Sequence, residues 1–256
     1  MIDYHPLEEV IHHPGLRLVL VRGMPSPWGQ AAKTIFEIKG LEFVVGPQEA
    51  GGENEQLKAW SGQTSGPVVA WSDEAPIHRW IDILMLAERL RPTPSLIPTD
   101  AMQRALMIGL CHEVCGELGI GWNRRLQMFA PAIASGDPPA GMKRMAQQYG
   151  SYRPDQAADA GARTARILRA LNAQLKSQQA RGVNFFVGDA LTALDLYWVA
   201  FMNMIDPLPA EHCPIPEDRR AWFVATDPLI RDALTPELVE HRGRIFSTCF
   251  RDPMEL

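Results

Sequence analysis

The chain is 256 residues long, which at roughly 100 to 200 residues per domain suits two small domains, and its 46% hydrophobic and 21% charged residues exclude a disordered chain. The formal net charge is −5 with Lys and Arg scattered along the sequence, so there is no basic stripe and nucleic acid is not an expected partner. No window approaches the ~20 apolar residues of a membrane span, and a cytoplasmic protein without a membrane partner is expected.

Residues 1–15 read as an extension ahead of the first strand. They carry Asp3, Glu8 and Glu9 and no apolar run of signal-peptide length. His5, His12 and His13 have no Cys or carboxylate partner at ligand spacing, so an exposed arm or a flap laid over the domain is expected there rather than a metal site. In the stretch that follows, Leu16, Leu18 and Leu20 alternate with Arg17, Val19 and Val21, the pattern of a buried or half-buried strand. The period then changes. Ala31, Ile35 and Ile38 recur at helical spacing, with Gly40 placed as the residue just past the helix end. Between strand and helix lies the turn Met24-Pro25-Ser26-Pro27-Trp28.

Residues 41–45 read as a second strand completing a βαβ unit, and 46–55 as a polar, glycine-rich loop. Residues 56–60 supply one irregular helical turn. Next comes a short strand over 65–71 that opens on Gly66-Pro67, and a helix over 77–90 with Ile83, Leu86, Ala87 and Leu90 on one face. Residues 92–98 are proline-dense with neither period, which places the domain boundary there.

Beyond the linker nearly everything is helical. Asp100 and Gln103 form a capping box, followed by an i,i+4 row of Met102, Leu106, Leu110, Val114 and Leu118. Residues 130–141 read as a Pro, Gly and Ala loop, and 154–180 as a long helix whose alanines permit close packing. A helix over 195–205, apolar on nearly all sides, is expected at the centre of this domain. Pro236 is placed as a first-turn proline of the last helix. Cys111, Cys115, Cys213 and Cys249 show no disulfide-scaffold spacing, which points to a reducing compartment. Cys111, His112 and Cys115 cluster at helical spacing without a fourth ligand, so no metal is expected.

Three segments carry a family resemblance. The turn around Ser26-Pro27-Trp28 resembles the first βα turn of the glutathione transferases, with Ser26 where the cysteine of a Cys-Pro-Phe turn stands. Gly66-Pro67-Val68-Val69 is similar to their Val-Pro-x-Leu segment. Gly188-Asp189-Ala190-Leu191-Thr192-Ala193-Leu194-Asp195 matches their Gly-Asp-x-x-Thr-x-x-Asp pattern, mechanically a capping box between Thr192 and Asp195. Together they span residues 16–205 in order.

The resemblance implies an α/β thioredoxin-like N-terminal domain over 16–91, a linker over 92–98 and an all-α C-terminal domain over 99–256. It further implies a homodimer and glutathione as co-substrate, added to or substituted onto a small electrophile in the interdomain cleft near Trp28, Trp122 and Arg125. A cis Pro67 with the backbone of Gly66 would hold the cysteinyl unit. Ser26 would stabilise the thiolate at the helix start, or it would simply cap that helix; the residues alone leave both open. The family's Glu-Ser pair, which holds the γ-glutamyl end, is missing. Its positions fall on His78-Arg79 or Arg79-Trp80, and Arg79 suits a carboxylate rather than an ammonium. A non-catalytic ligand-binding protein on the same fold is the alternative.

Overall fold

A computed structural model describes residues 2–149 and 153–256; Met1, the first residue of the extension, lies outside them. The extension is a flap laid along the sheet. His5 donates its backbone N–H to the Val45 carbonyl at 2.9 Å, Tyr4 pairs with Val45 in a parallel bridge, and helix α1 (Leu7–His12) buries Val10. Strand β1 (Leu16–Val21) runs into helix α2 (Pro27–Ile38) and returns through strand β2 (Phe43–Gln48). Beyond helix α3 (Glu55–Ser61), strand β3 (Val68–Trp71) and helix α4 (Trp80–Leu90) close this half. The sheet order is β2-β1-β3, with β1 parallel to β2 and antiparallel to β3. A single bridge from Val69 to Ile77 stands where a fourth strand would lie. Strand β1 is central and therefore buried from Leu16 to Leu20, including Arg17, whose guanidinium donates to the Ile11 carbonyl at 2.9 Å and to the Ser72 carbonyl.

Gly40 has φ of 60° directly after the Lys39 cap, as the sequence predicts. Strand β2 is shifted toward the glycine-rich loop relative to 41–45, because its partner residues start at Leu16↔Phe43. Helix α4 starts at Trp80 rather than Ile77, since Ile77 is held in the bridge to β3.

The second half is helical: α5 (Ala101–Cys115), α6 (Ile120–Ala134), α7 (Ala140–Gln148), α8 (Pro154–Gln179), α9 (Ala193–Met202), α10 (Glu217–Phe223), α11 (Pro228–Ala233) and α12 (Pro236–Cys249). All ten residues of α9 are buried, and α2, α5 and α12 pack around it. The Asp100 carboxylate accepts from the Gln103 N–H at 2.9 Å, and Pro236 opens α12. Two expectations are corrected. Residues 130–134 belong to α6, which tolerates Pro131 in its last turn. In α5 the row through Met102 and Leu106 faces outward, at 78% and 43% exposure, and Leu118 lies beyond the helix end. Of that row Val114 is buried and Leu110 is half-buried against the core, which takes Met107, Cys111 and Cys115 besides. This helix is apolar on two faces, so periodicity alone does not say which one meets α9.

Candidate functional site

Where β1 ends, Pro27 at the first helical position fixes the start of α2 and leaves Ser26 at the N-cap in extended conformation (φ −60°, ψ 115°). The Ser26 side chain makes no capping hydrogen bond. Among the described residues its hydroxyl has no partner, and it lines a cavity of about 340 Å³ between the two halves of the molecule. That volume is at the low end for a small-molecule site. The N-terminal half contributes the β1–α2 turn, the end of β2 and the segment Thr64–Gly66; the helical half contributes α6, α7 and α10. An uncommitted hydroxyl beside the N-terminus of a 12-residue helix is suited to donate to an anion, because the first N–H groups and the dipole of α2 favour negative charge there.

Trp28 also lines the cavity, but its indole is committed to the protein. Nε1 donates to the Cys115 carbonyl at 2.8 Å, tying α2 to the end of α5. The ring sits edge-on to Phe201 at 4.8 Å. Gly121 makes this seat possible, since a Cβ at that position would stand 2.8 Å from the Trp28 ring and 2.5 Å from Phe201. Trp28 is thus a wall of the cleft rather than a donor to a ligand.

The Gly66-Pro67 bond is cis, and Gly66 lines the cavity while Pro67 is not among the lining residues. A side chain at residue 66 is barred, because a Cβ would lie 2.7 Å from the Val19 carbonyl oxygen. The Gly66 N–H is taken by Gln48, whose Oε1 accepts from it at 3.3 Å. Arg79 is the N-cap residue of α4 and is exposed; the structure does not bring it to the cavity.

Several lining residues were not singled out from the sequence. Met142, Met145 and Tyr149 stand at i, i+3 and i+7 on α7 and its C-cap, a helical signal that was available there. Arg144 donates from Nε and Nη2 to the Gly51 carbonyl at 2.9 and 2.7 Å, and Gln148 donates to Thr64 Oγ1 at 3.0 Å, so α7 is clasped to the opposite wall. Arg125 lines the cavity as expected and lies beside Tyr149, while its Nε is buried without a partner. Burial raises the Tyr149 pKa, and the Arg125 charge opposes that rise.

None of the four cysteines lines the cavity. Burial pushes Cys111 and Cys115 well above the ordinary thiol range and Cys213 up to about 11, so these thiols are protonated and unreactive at neutral pH. His112 points away from its two neighbours, being exposed where they are buried. Among the described residues no group of three or more His, Cys, Asp or Glu side chains is placed to hold a metal ion.

No protein-family model matches the chain, and no curated protein matches it. Solved structures do. A glutathione S-transferase domain-containing protein of Marinobacter aquaeolei VT8 is 17% identical, covering 90% of this chain and 97% of its own, with a TM-score of 0.61. Rice GST1, solved in complex with glutathione, is 20% identical over 92% of each chain at a TM-score of 0.59. A glutathione S-transferase of Methylobacterium radiotolerans, solved with glutathione sulfonate, is 16% identical over 91% of each at 0.59. The chain therefore has the glutathione transferase fold, an α/β thioredoxin-like half followed by an all-helical half.

Proposed function

We propose that this chain is a glutathione transferase-type enzyme in which the Ser26 hydroxyl donates to a thiolate held in the cleft. The sulfur then forms a bond to the electrophilic carbon of a small apolar substrate. In substitution the leaving group departs with its electron pair; in addition the resulting carbanion takes a proton from water. One observation carries this reading: Ser26 lines the cavity and its hydroxyl is engaged by no group among the described residues, so the capping role that competes with it is not being performed. Hydrogen bonding to the charged form lowers a thiol pKa, and glutathione is the thiol that the fold suggests. The test is thermal denaturation with and without glutathione, paired with an assay of conjugation to a nitro-activated aryl halide. A ligand that binds only the native state must raise the melting temperature. No rise and no conjugation would end the reading.

A second reading, binding without catalysis, is favoured by how the Gly66 N–H is used. The backbone site assigned to the cysteinyl unit is capped by Gln48, and Arg79 with its neighbours replaces a carboxylate and hydroxyl. Gln48→Ala is expected to free that N–H and tighten glutathione binding roughly 3- to 10-fold, the worth of one net hydrogen bond. Calorimetric titration reads this directly, and an unchanged or weaker affinity would mean that glutathione does not use Gly66.

We further propose that the active form is a homodimer. Met85 on α4 and Met102 and Leu106 on α5 are large exposed apolar side chains, at 42%, 78% and 43%, in the two halves that the family pairs across subunits. Leu106→Glu is expected to convert the dimer to monomer in sedimentation at micromolar concentration. A wild-type chain that is already monomeric there would refute the proposal.

A further inference from the structure

The charge of the cleft wall is one-sided. Among the described residues Arg125, Arg144 and Arg219 line the cavity, and no Asp or Glu does. The three cations are not equivalent. Arg144 is spent on the Gly51 carbonyl and lies 3.6 Å from Glu53. Arg219, on α10, touches the Met24 sulfur at 3.4 Å and lies 3.8 Å from Asp218. Among the described residues Arg125 has no carboxylate partner: its Nη1 meets the Met128 sulfur, at 4.0 Å, its Nε is buried and unsatisfied, and its charge lies close to Tyr149. Tyr149 also lines the cavity and carries an O–H that can donate. The rest of the lining is largely apolar and adaptable: Trp28, Phe129 and Trp222 with Met128, Met142 and Met145.

We propose that the acceptor substrate of this cleft is an anion, an aryl or alkyl carboxylate whose charged end is held by Arg125 and the Tyr149 hydroxyl while its apolar body lies against the Trp and Met side chains. The proposal deepens the thiol-transfer reading by naming the class of its second substrate. A guanidinium presents two parallel N–H groups that match the two oxygens of a carboxylate. In a cleft lined by one sign of charge the field concentrates on an anion and raises its local concentration. The cavity volume of about 340 Å³ admits a single compact ring system rather than a long chain.

The test uses the full chain and two isosteres, 2-naphthoate and 2-naphthamide, titrated by calorimetry without any thiol present. Naphthoate is expected to bind at least about 10-fold more tightly, in line with a charge-assisted hydrogen-bond pair. Arg125→Met is expected to abolish that preference, and Arg125→Lys to keep part of it, since the charge remains but the fork is lost. Arg219→Gln is expected to reduce it little, because Arg219 is solvated. Equal affinity of wild type for the two compounds, no naphthoate binding at millimolar concentration, or a preference that survives in Arg125→Met would overturn the proposal. The comparison of the two ligands on wild type needs no variant to fold. Naphthoate preference is also expected in Ser26→Ala, so the two readings fail separately. A persistent preference without any effect of glutathione sinks the thiol reading alone, and a glutathione effect without the preference sinks the anion site alone.

Discussion

Ser26→Ala is expected to lower kcat/KM for thiol conjugation by about 10²-fold or more, the usual loss on removing one preorganised donor from a developing or resident anion. The fold stability should scarcely change. An N-cap serine that bonds the helix backbone contributes ~1 kcal/mol, but here that bond is not made, and Pro27 sets the helix start by itself. The pH dependence gives the prediction its sign. With the donor present, the charged sulfur is favoured and the bound thiol ionises below its ordinary value near 8.5. Without it, the pKa of the bound thiol rises back and the rate profile shifts to higher pH. The deficit in Ser26→Ala should therefore be largest near pH 6.5 and shrink toward pH 9, where thiolate is abundant in either protein. Full activity in Ser26→Ala, or a deficit independent of pH, would remove Ser26 from the chemistry.

The order of elements was legible because each is announced by its own chemistry. Alternation in residues 16–21, the Pro at the start of α2, the Gly at its end and the Thr192/Asp195 spacing all act within a few residues. Legibility fails where the decision is made at a distance. The apolar row of α5 through Met102 obeys helical spacing as well as the row through Cys111 does, and only the position of α9 chooses between them. The site divides in the same way. Ser26 and Gly66 are legible because backbone geometry singles them out: a hydroxyl before a first-turn proline, and a glycine pressed against the Val19 carbonyl. Gln48, Arg144 and Gln148 were missed since their roles are contacts between segments 18 to 93 residues apart, those of Arg144 and Gln148 running across the cleft. Arg79 shows the opposite failure. It occupies the expected position at the start of α4, yet the cavity lies elsewhere, so a matching position in sequence did not guarantee a shared site.

Asp195→Ala is expected to cost about 3–5 kcal/mol of folding stability, the range for removing one partner of a buried charged network. The carboxylate is fully buried and every lone-pair direction is used. Oδ2 accepts from the Thr192 N–H at 2.9 Å and the Thr192 hydroxyl at 3.0 Å. Oδ1 accepts from the Phe186 N–H at 3.1 Å and lies 2.9 Å from His241 Nε2. Arg244 donates to His241 Nδ1 at 2.7 Å, which leaves the ring proton on Nε2 and makes it a donor to Asp195. One side chain thus joins the start of α9, the loop at Phe186 and the helix α12. Truncation would strand two backbone N–H groups and an imidazole N–H in the interior, at roughly 1–3 kcal/mol for each group left unpaired. Asp195→Asn keeps the shape but turns an NH₂ toward existing donors, so a smaller loss, about half, is expected. Against the roughly 5–15 kcal/mol that holds a domain together, the alanine variant should unfold at a much lower urea midpoint. While folded it should retain ligand binding, because Asp195 does not line the cavity. A urea midpoint equivalent to less than about 1 kcal/mol of loss, or conjugation lost in a chain that is still fully folded, would mean that Asp195 is not the structural tie described.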